Sequence, residues 1–130
     1  MLPTILAVDA HDDSRIVYSL VFRQKGFELL DARTSKEALD IMASCRPRAI
    51  VMELTLPDLD GCELIRMLKL DPVRAPVPIL VVTSDIRLRR REEAEAAGCD
   101  AFLLKPSPMR VIIEVVRDLM EPDSLQNSTS

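Results

Sequence analysis

Four apolar runs in this chain end in residue types that can handle a phosphoryl group. The run from Thr4 to Val8 is followed by Asp9, and Ala49 to Glu53 ends in the carboxylate of Glu53. Val77 to Val82 is followed by the hydroxyls of Thr83 and Ser84, and Ala101 to Leu104 by Lys105-Pro106. A carboxylate can attack phosphorus or hold Mg2+, an ammonium neutralises phosphoryl oxygens and a hydroxyl donates to them. One acid at the end of one strand is as readily a helix cap. Two carboxylates, a hydroxyl and an ammonium ending four separate runs require a fold that brings those ends to one edge.

The intervening segments supply such a fold. Short runs rich in Val, Ile and Leu alternate with helix-length amphipathic segments, the pattern of a parallel sheet with crossover helices. Strands are predicted at Thr4 to Val8, Phe27 to Asp31, Ala49 to Glu53, Val77 to Val82 and Ala101 to Leu104. Helices are predicted at Asp13 to Lys25, Ser35 to Cys45, Cys62 to Leu70, Ile86 to Ala97 and Pro108 to Met120. Ile50-Val51-Met52 and Ile79 to Val82 lack polar alternation, as strands covered on both faces do. Gly26 and Gly98 each stand between a helix and a strand, where a left-handed cap suits glycine. Thr34-x-x-Glu37 and Asp60-x-x-Glu63 have the spacing of capping boxes. The expected architecture is a doubly wound α/β sheet, which binds ligands outside the carboxyl ends of its strands.

Composition narrows the chemistry. With 130 residues and 48% apolar content, the chain is sized for one domain with its own core. Aromatics make up 3% and Trp is absent, too few for a stacking platform on single-stranded nucleic acid. A net charge of -4 disfavours binding to a phosphate backbone. The three glycines all fall at element boundaries, and neither G-x-G-x-x-G nor G-K-[ST] occurs. Cys45, Cys62 and Cys99 form no C-x-x-C pair and read as reduced core thiols of a cytoplasmic protein. No apolar run approaches the ~20 residues that span a bilayer. Residues 1–121 are expected to form the domain and 122–130 (P-D-S-L-Q-N-S-T-S) a disordered polar tail.

Four stretches together resemble the receiver domain of two-component response regulators: V-D-A-H-D-D-S-R (Val8 to Arg15), M-E-L-T-L-P-D-L-D-G (Met52 to Gly61), V-V-T-S (Val81 to Ser84) and L-K-P (Leu104 to Pro106). The resemblance runs without large gaps from about Thr4 to Met120. It implies a flavodoxin-like five-stranded sheet in order 2-1-3-4-5 with five helices, and a cis peptide between Lys105 and Pro106. It also implies Thr83 and Phe102 as switch residues, and a function in phosphorelay signalling with a histidine kinase or a downstream signalling protein as partner.

The sequence departs from that family's pattern at two positions. Ala10 stands where an Mg2+-binding acid is usual, and Glu53 where the phosphoacceptor aspartate belongs. Sliding Asp12-Asp13 into the acid pair would spoil the spacing of Arg15, so the gapless match makes them helix-start residues favoured by the dipole. The family's three acids and one lysine leave a local charge of about -2, whereas Asp9, Glu53 and Lys105 leave about -1. Only a weakened Mg2+ site on Asp9, Glu53 and Thr55 is then expected, with no other cofactor. The extra methylene of Glu53 adds about 1.5 Å of reach, enough to pair with Lys105 and approach the Thr83 hydroxyl. The expectation is an atypical receiver, a protein-interaction module that does not depend on aspartyl phosphorylation. The alternatives are a receiver that still takes phosphate and, from another class, a small flavodoxin-like or phosphatase enzyme. Against the enzyme, His11 stands where a haloacid-dehalogenase-like second aspartate would be. Asp58 and Asp60 read as turn and cap residues, and His11 as solvent-exposed.

Binding then has to use surface. Ile16 and Leu20 on the first helix and Val111 and Val115 on the last exceed what one sheet-covering stripe needs, suggesting a partner or homodimer face. The fourth helix opens Ile86-Arg87-Leu88-Arg89-Arg90-Arg91 and continues into Glu92-Glu93-Ala94-Glu95. Pairs Arg89 with Glu93 and Arg91 with Glu95 would make a solvated face, while the resemblance places Arg87 and Arg91 on the family's output face.

Overall fold

A computed structural model describes residues 1–121, so the expected tail lies outside the described residues. Five parallel strands form one sheet in the order β2-β1-β3-β4-β5: β1 (Thr4–Val8), β2 (Glu28–Ala32), β3 (Ala49–Met52), β4 (Ile79–Thr83) and β5 (Ala101–Leu104). Five helices connect or follow them: α1 (Asp12–Gln24), α2 (Ser35–Ser44), α3 (Gly61–Leu70), α4 (Leu88–Ala97) and α5 (Met109–Met120). Strand order and helix number match expectation, with boundaries shifted by one or two residues.

The side-chain period of two explains why the central strands are apolar throughout. Leu6, Val8, Ile50, Met52, Ile79 and Val81 face α2, α3 and α4, where they meet Ala38, Met42, Ile65, Leu68 and Ala94. Ile5, Ala7, Val51, Leu80 and Val82 point the other way and pack on Tyr18 and Phe22 of α1 and on Ile112, Ile113 and Val116 of α5. The strand order reverses between β1 and β3, so the crevice between their carboxyl ends is where polar groups are gathered.

The caps follow the sequence with two refinements. The Thr34 hydroxyl accepts from the Glu37 N–H at 3.0 Å, but the Glu37 carboxylate reaches back to the N–H of Arg33, one residue before the cap. The Asp60 carboxylate accepts from the Cys62 N–H at 3.1 Å, while Glu63 turns outward to Arg66. Gly98 has φ of +115° and ends α4 as expected for a residue without Cβ.

Two surface expectations change. Arg89 makes no ion pair with Glu93, because the helical turn presents Arg90 instead: its guanidinium is buried, pairs with Glu93 at 2.9 Å and so leaves the solvated face. On α5, Val115 packs against the core and Val111 is half-buried, so the apolar excess is carried by α1, where Ile16, Val17 and Leu20 are exposed. Of the three thiols, only Cys62 is a core residue; Cys45 and Cys99 are half-buried, and all three are free.

Candidate functional site

The sheet ladder continues one residue past its strands and fixes the site. The Asp9 N–H donates to the Ala32 carbonyl and the Glu53 N–H to the Val8 carbonyl, each at 2.9 Å, and the Lys105 N–H donates to the Thr83 carbonyl at 2.8 Å. Asp9, Glu53 and Thr83 are thereby held as buried side chains at adjacent strand ends. The loop after Glu53 is pinched shut by Gly61, whose N–H donates to the Leu54 carbonyl at 2.8 Å. A Cβ there would lie 2.7 Å from the Leu54 Cα, so only glycine fits.

Within this frame Lys105 is the hub. Its ammonium lies 2.9 Å from Asp9 Oδ2 and 3.4 Å from Glu53 Oε1, with the Ser14 hydroxyl at 3.5 Å. The other oxygens are also engaged. Asp9 Oδ1 accepts from the His11 N–H at 2.8 Å; Glu53 Oε2 accepts from the Leu54 N–H at 2.6 Å and the Thr55 N–H at 3.3 Å. Two buried carboxylates thus share one cation and three backbone donors, the pairing that makes buried charge tolerable. The reach expected of Glu53 toward Lys105 is present. No hydrogen bond joins Glu53 to Thr83: the Glu53 oxygens are taken up by Leu54, Thr55 and Lys105, and the Thr83 hydroxyl accepts from the Asp85 N–H at 3.2 Å.

The remaining expected residues are dispersed. Ala10 adds only a methyl group beside the acids, and Thr55 is exposed. Phe102 is half-buried beneath the Arg91 guanidinium, 5.4 Å from the ring centroid, and Arg91 also pairs with Glu95. Pro106 follows a cis peptide bond, as the resemblance implies. Arg87 is exposed and pairs with Asp85. His11 is exposed, and Asp58 caps α2 through the N–H groups of Ser35 and Lys36, both at 2.9 Å.

Three residues that matter escaped the sequence reading. Arg15 is buried and donates to the Asp9 carbonyl at 2.7 Å while pairing with Asp12 and Asp31. Arg90 joins Asp60 at 2.6 Å, Asp85 at 3.6 Å and Glu93, tying both loops behind the site to α4. Tyr18 lies under the acids: burial, with the charges of Asp9 and Glu53 adding to it, holds its phenol well above the ordinary 10.0. An arginine on an otherwise acidic first turn and a lone tyrosine in an apolar helix were the available signals.

A family profile for the response regulator receiver domain matches residues 5–117. The chain belongs to the receiver domain family. Among its relatives, the polar-differentiation response regulator DivK of Brucella anthropi is 26% identical over 120 residues, covering 92% of this chain and 98% of that protein. A putative response regulator from Chloroflexus aurantiacus is 27% identical at a TM-score of 0.87, covering 92% of this chain and 98% of that structure. A CheY-like receiver from Methanospirillum hungatei shares the fold at a TM-score of 0.89 and 23% identity, covering 97% and 99%.

Receiver domains as a family imply Mg2+, which the donor set of this receiver does not suit. It offers two carboxylates at the strand ends, Ala10 supplies none, and every oxygen of Asp9 and Glu53 already faces a donor. Among the described residues no group of three acidic, His or Cys side chains is placed to hold a metal ion. A cation would have to displace the Lys105 ammonium. Nor is any helix among them long and apolar enough to cross a membrane.

Proposed function

We propose that this receiver is a phosphorylation-independent interaction module in cytoplasmic two-component signalling, not an enzyme. One observation carries the reading: the Glu53 carboxylate accepts from the Leu54 and Thr55 N–H groups and pairs with Lys105. A fixed carboxylate there takes the donors and the cation that would otherwise serve a phosphoryl group. Its nucleophilic oxygens are directed at their own turn, and a displacement of about 1 Å costs roughly 100-fold in a displacement reaction. Mg2+ affinity is weak for the same reason, since only Asp9 and Glu53 remain to attract it.

The output is carried by contact with another protein, a histidine kinase or a downstream signalling protein. Ile16 and Leu20 are 63% and 60% exposed on α1, a larger apolar display than a solvated helix needs. Arg87, just before α4, and Arg91 within it present charge on a second face. Incubation with Mg2+ and a small phosphodonor, followed by intact mass, tests the first half. The native chain is expected to stay unmodified, and an Ala10→Asp/Glu53→Asp variant to gain one phosphate. Stoichiometric phosphate on Glu53 overturns the reading.

A further inference from the structure

Beside the acid edge, on the side away from Arg90, a cleft of about 310 Å³ opens between the start of α1 and the β5–α5 loop. Its floor is apolar, made by Val17, Val82, Met109 and Ile112. Its polar wall is made by Tyr18, Ser14, Lys105 and Asp13. The volume is at the lower end of what small-molecule sites use, and an apolar bed with a few convergent polar groups is their usual composition.

Two features show what such a site would take. Tyr18 is 5% exposed, yet its hydroxyl has no hydrogen-bond partner among the described residues. Every fully enclosed side-chain oxygen or nitrogen there has one, so the phenol oxygen opens into the cleft. Buried tyrosines ordinarily satisfy that group. The second feature is the sign of the charge. Lys105 is committed to Asp9 and Glu53, whereas Asp13 at the mouth has no cation within 4.0 Å among the described residues. Arg110, next along α5, does not line the cleft. The negative field of Asp9 and Glu53 reaches the phenol.

We propose that this cleft binds a small organic cation, an ammonium on an aromatic or branched apolar stem, with the stem on Val17, Met109 and Ile112 and the N–H groups shared by the Tyr18 oxygen and Asp13. Such a ligand would touch the residues beside Lys105 and so supply the domain with a chemical input that needs no phosphate. The site does not depend on whether Glu53 can be phosphorylated, and its test is separate.

The chain has one tyrosine and no tryptophan, so intrinsic fluorescence reports Tyr18 alone. Titration of the intact chain with phenethylammonium at low salt should change that emission saturably, with a dissociation constant in the millimolar range or tighter. Methyl resonances of Val17, Met109 and Ile112 should shift along the same isotherm. Phenylpropionate, which keeps the ring and reverses the charge, should bind at least about fivefold more weakly, as should the Asp13→Asn variant toward the cation. Tyr18→Phe, followed by the methyl resonances, should weaken binding severalfold; folding is checked by the unchanged remainder of the spectrum. Equal binding of phenylpropionate, unchanged affinity in both variants, or shifts scattered over the surface without saturation each overturn the proposal.

Discussion

Two ion clusters hold the carboxyl edge of this receiver together, and they are built in opposite ways. In the first, the acids are buried and the base is accessible: Asp9 and Glu53 side chains are 2% and 4% exposed, Lys105 21%. In the second, the base is buried and two of its three acids face water: Arg90 is 11% exposed, Asp60 and Glu93 about two fifths, while the enclosed Asp85 has a second cation in Arg87. The cost of removing a partner is set by what remains behind. Two carboxylates stranded in the sheet crevice have no solvent to turn to, whereas solvated acids that lose a shared arginine simply hydrate. The first cluster therefore constrains chemistry, and the second fastens loops.

The largest effect should follow Lys105→Met. It leaves Asp9 and Glu53 facing each other with only backbone donors, and should cost about 3 kcal/mol or more in chemical denaturation at neutral pH. Adding Glu53→Gln to the same chain should recover part of the loss by removing one of the two charges. A double variant as unstable as the sum of the singles would show that the acids do not share the lysine. Arg90→Met should cost less, about 1 to 2 kcal/mol, because Asp60 and Glu93 regain water and Asp85 keeps Arg87. Its signature should be local: amide exchange should quicken in the Asp60 and Asp85 loops and at the start of α4, with β1 and β3 unchanged.

That contrast also marks how far the sequence could be read. The parallel sheet was legible because Ile50-Val51-Met52 and Ile79 to Val82 are apolar on both faces, and strand ends follow from where such runs stop. Asp9, Glu53 and Lys105 were legible for the same reason, since strand order alone brings their ends together. Glu53 pairing with Lys105 followed from side-chain length, but the partner of Thr83 did not, because the Asp85 N–H that occupies it belongs to a loop whose course no periodicity encodes. Arg90 was hidden among four arginines. Which of them turns inward depends on the phase of α4, and that helix begins at Leu88, two residues later than its apolar pattern suggests. Tyr18 looked like one more apolar residue of α1; only the packing of α5 shows that its oxygen ends in an open cleft.

The smallest effect sharpens the comparison at a third place, where a carboxylate is fully solvated and still positioned. Asp58 is exposed, and both its oxygens accept backbone N–H groups at the start of α2, 23 and 22 residues away in the chain. Desolvation, the largest single influence, pushes its carboxyl up. The N–H groups of Ser35 and Lys36 outweigh this and hold it at about 2, against an ordinary 3.8. Because the folded value is the lower, the stabilising contribution is complete above about 3.8 and is lost as pH falls toward 2. Solvent screening keeps it small, so Asp58→Asn should cost under about 1 kcal/mol at neutral pH. The gap between native and variant denaturation midpoints should close across that acid window. A gap that stayed constant down to pH 2 would show that the cost of Asp58→Asn does not come from the carboxylate charge, and that charge at this helix start contributes nothing.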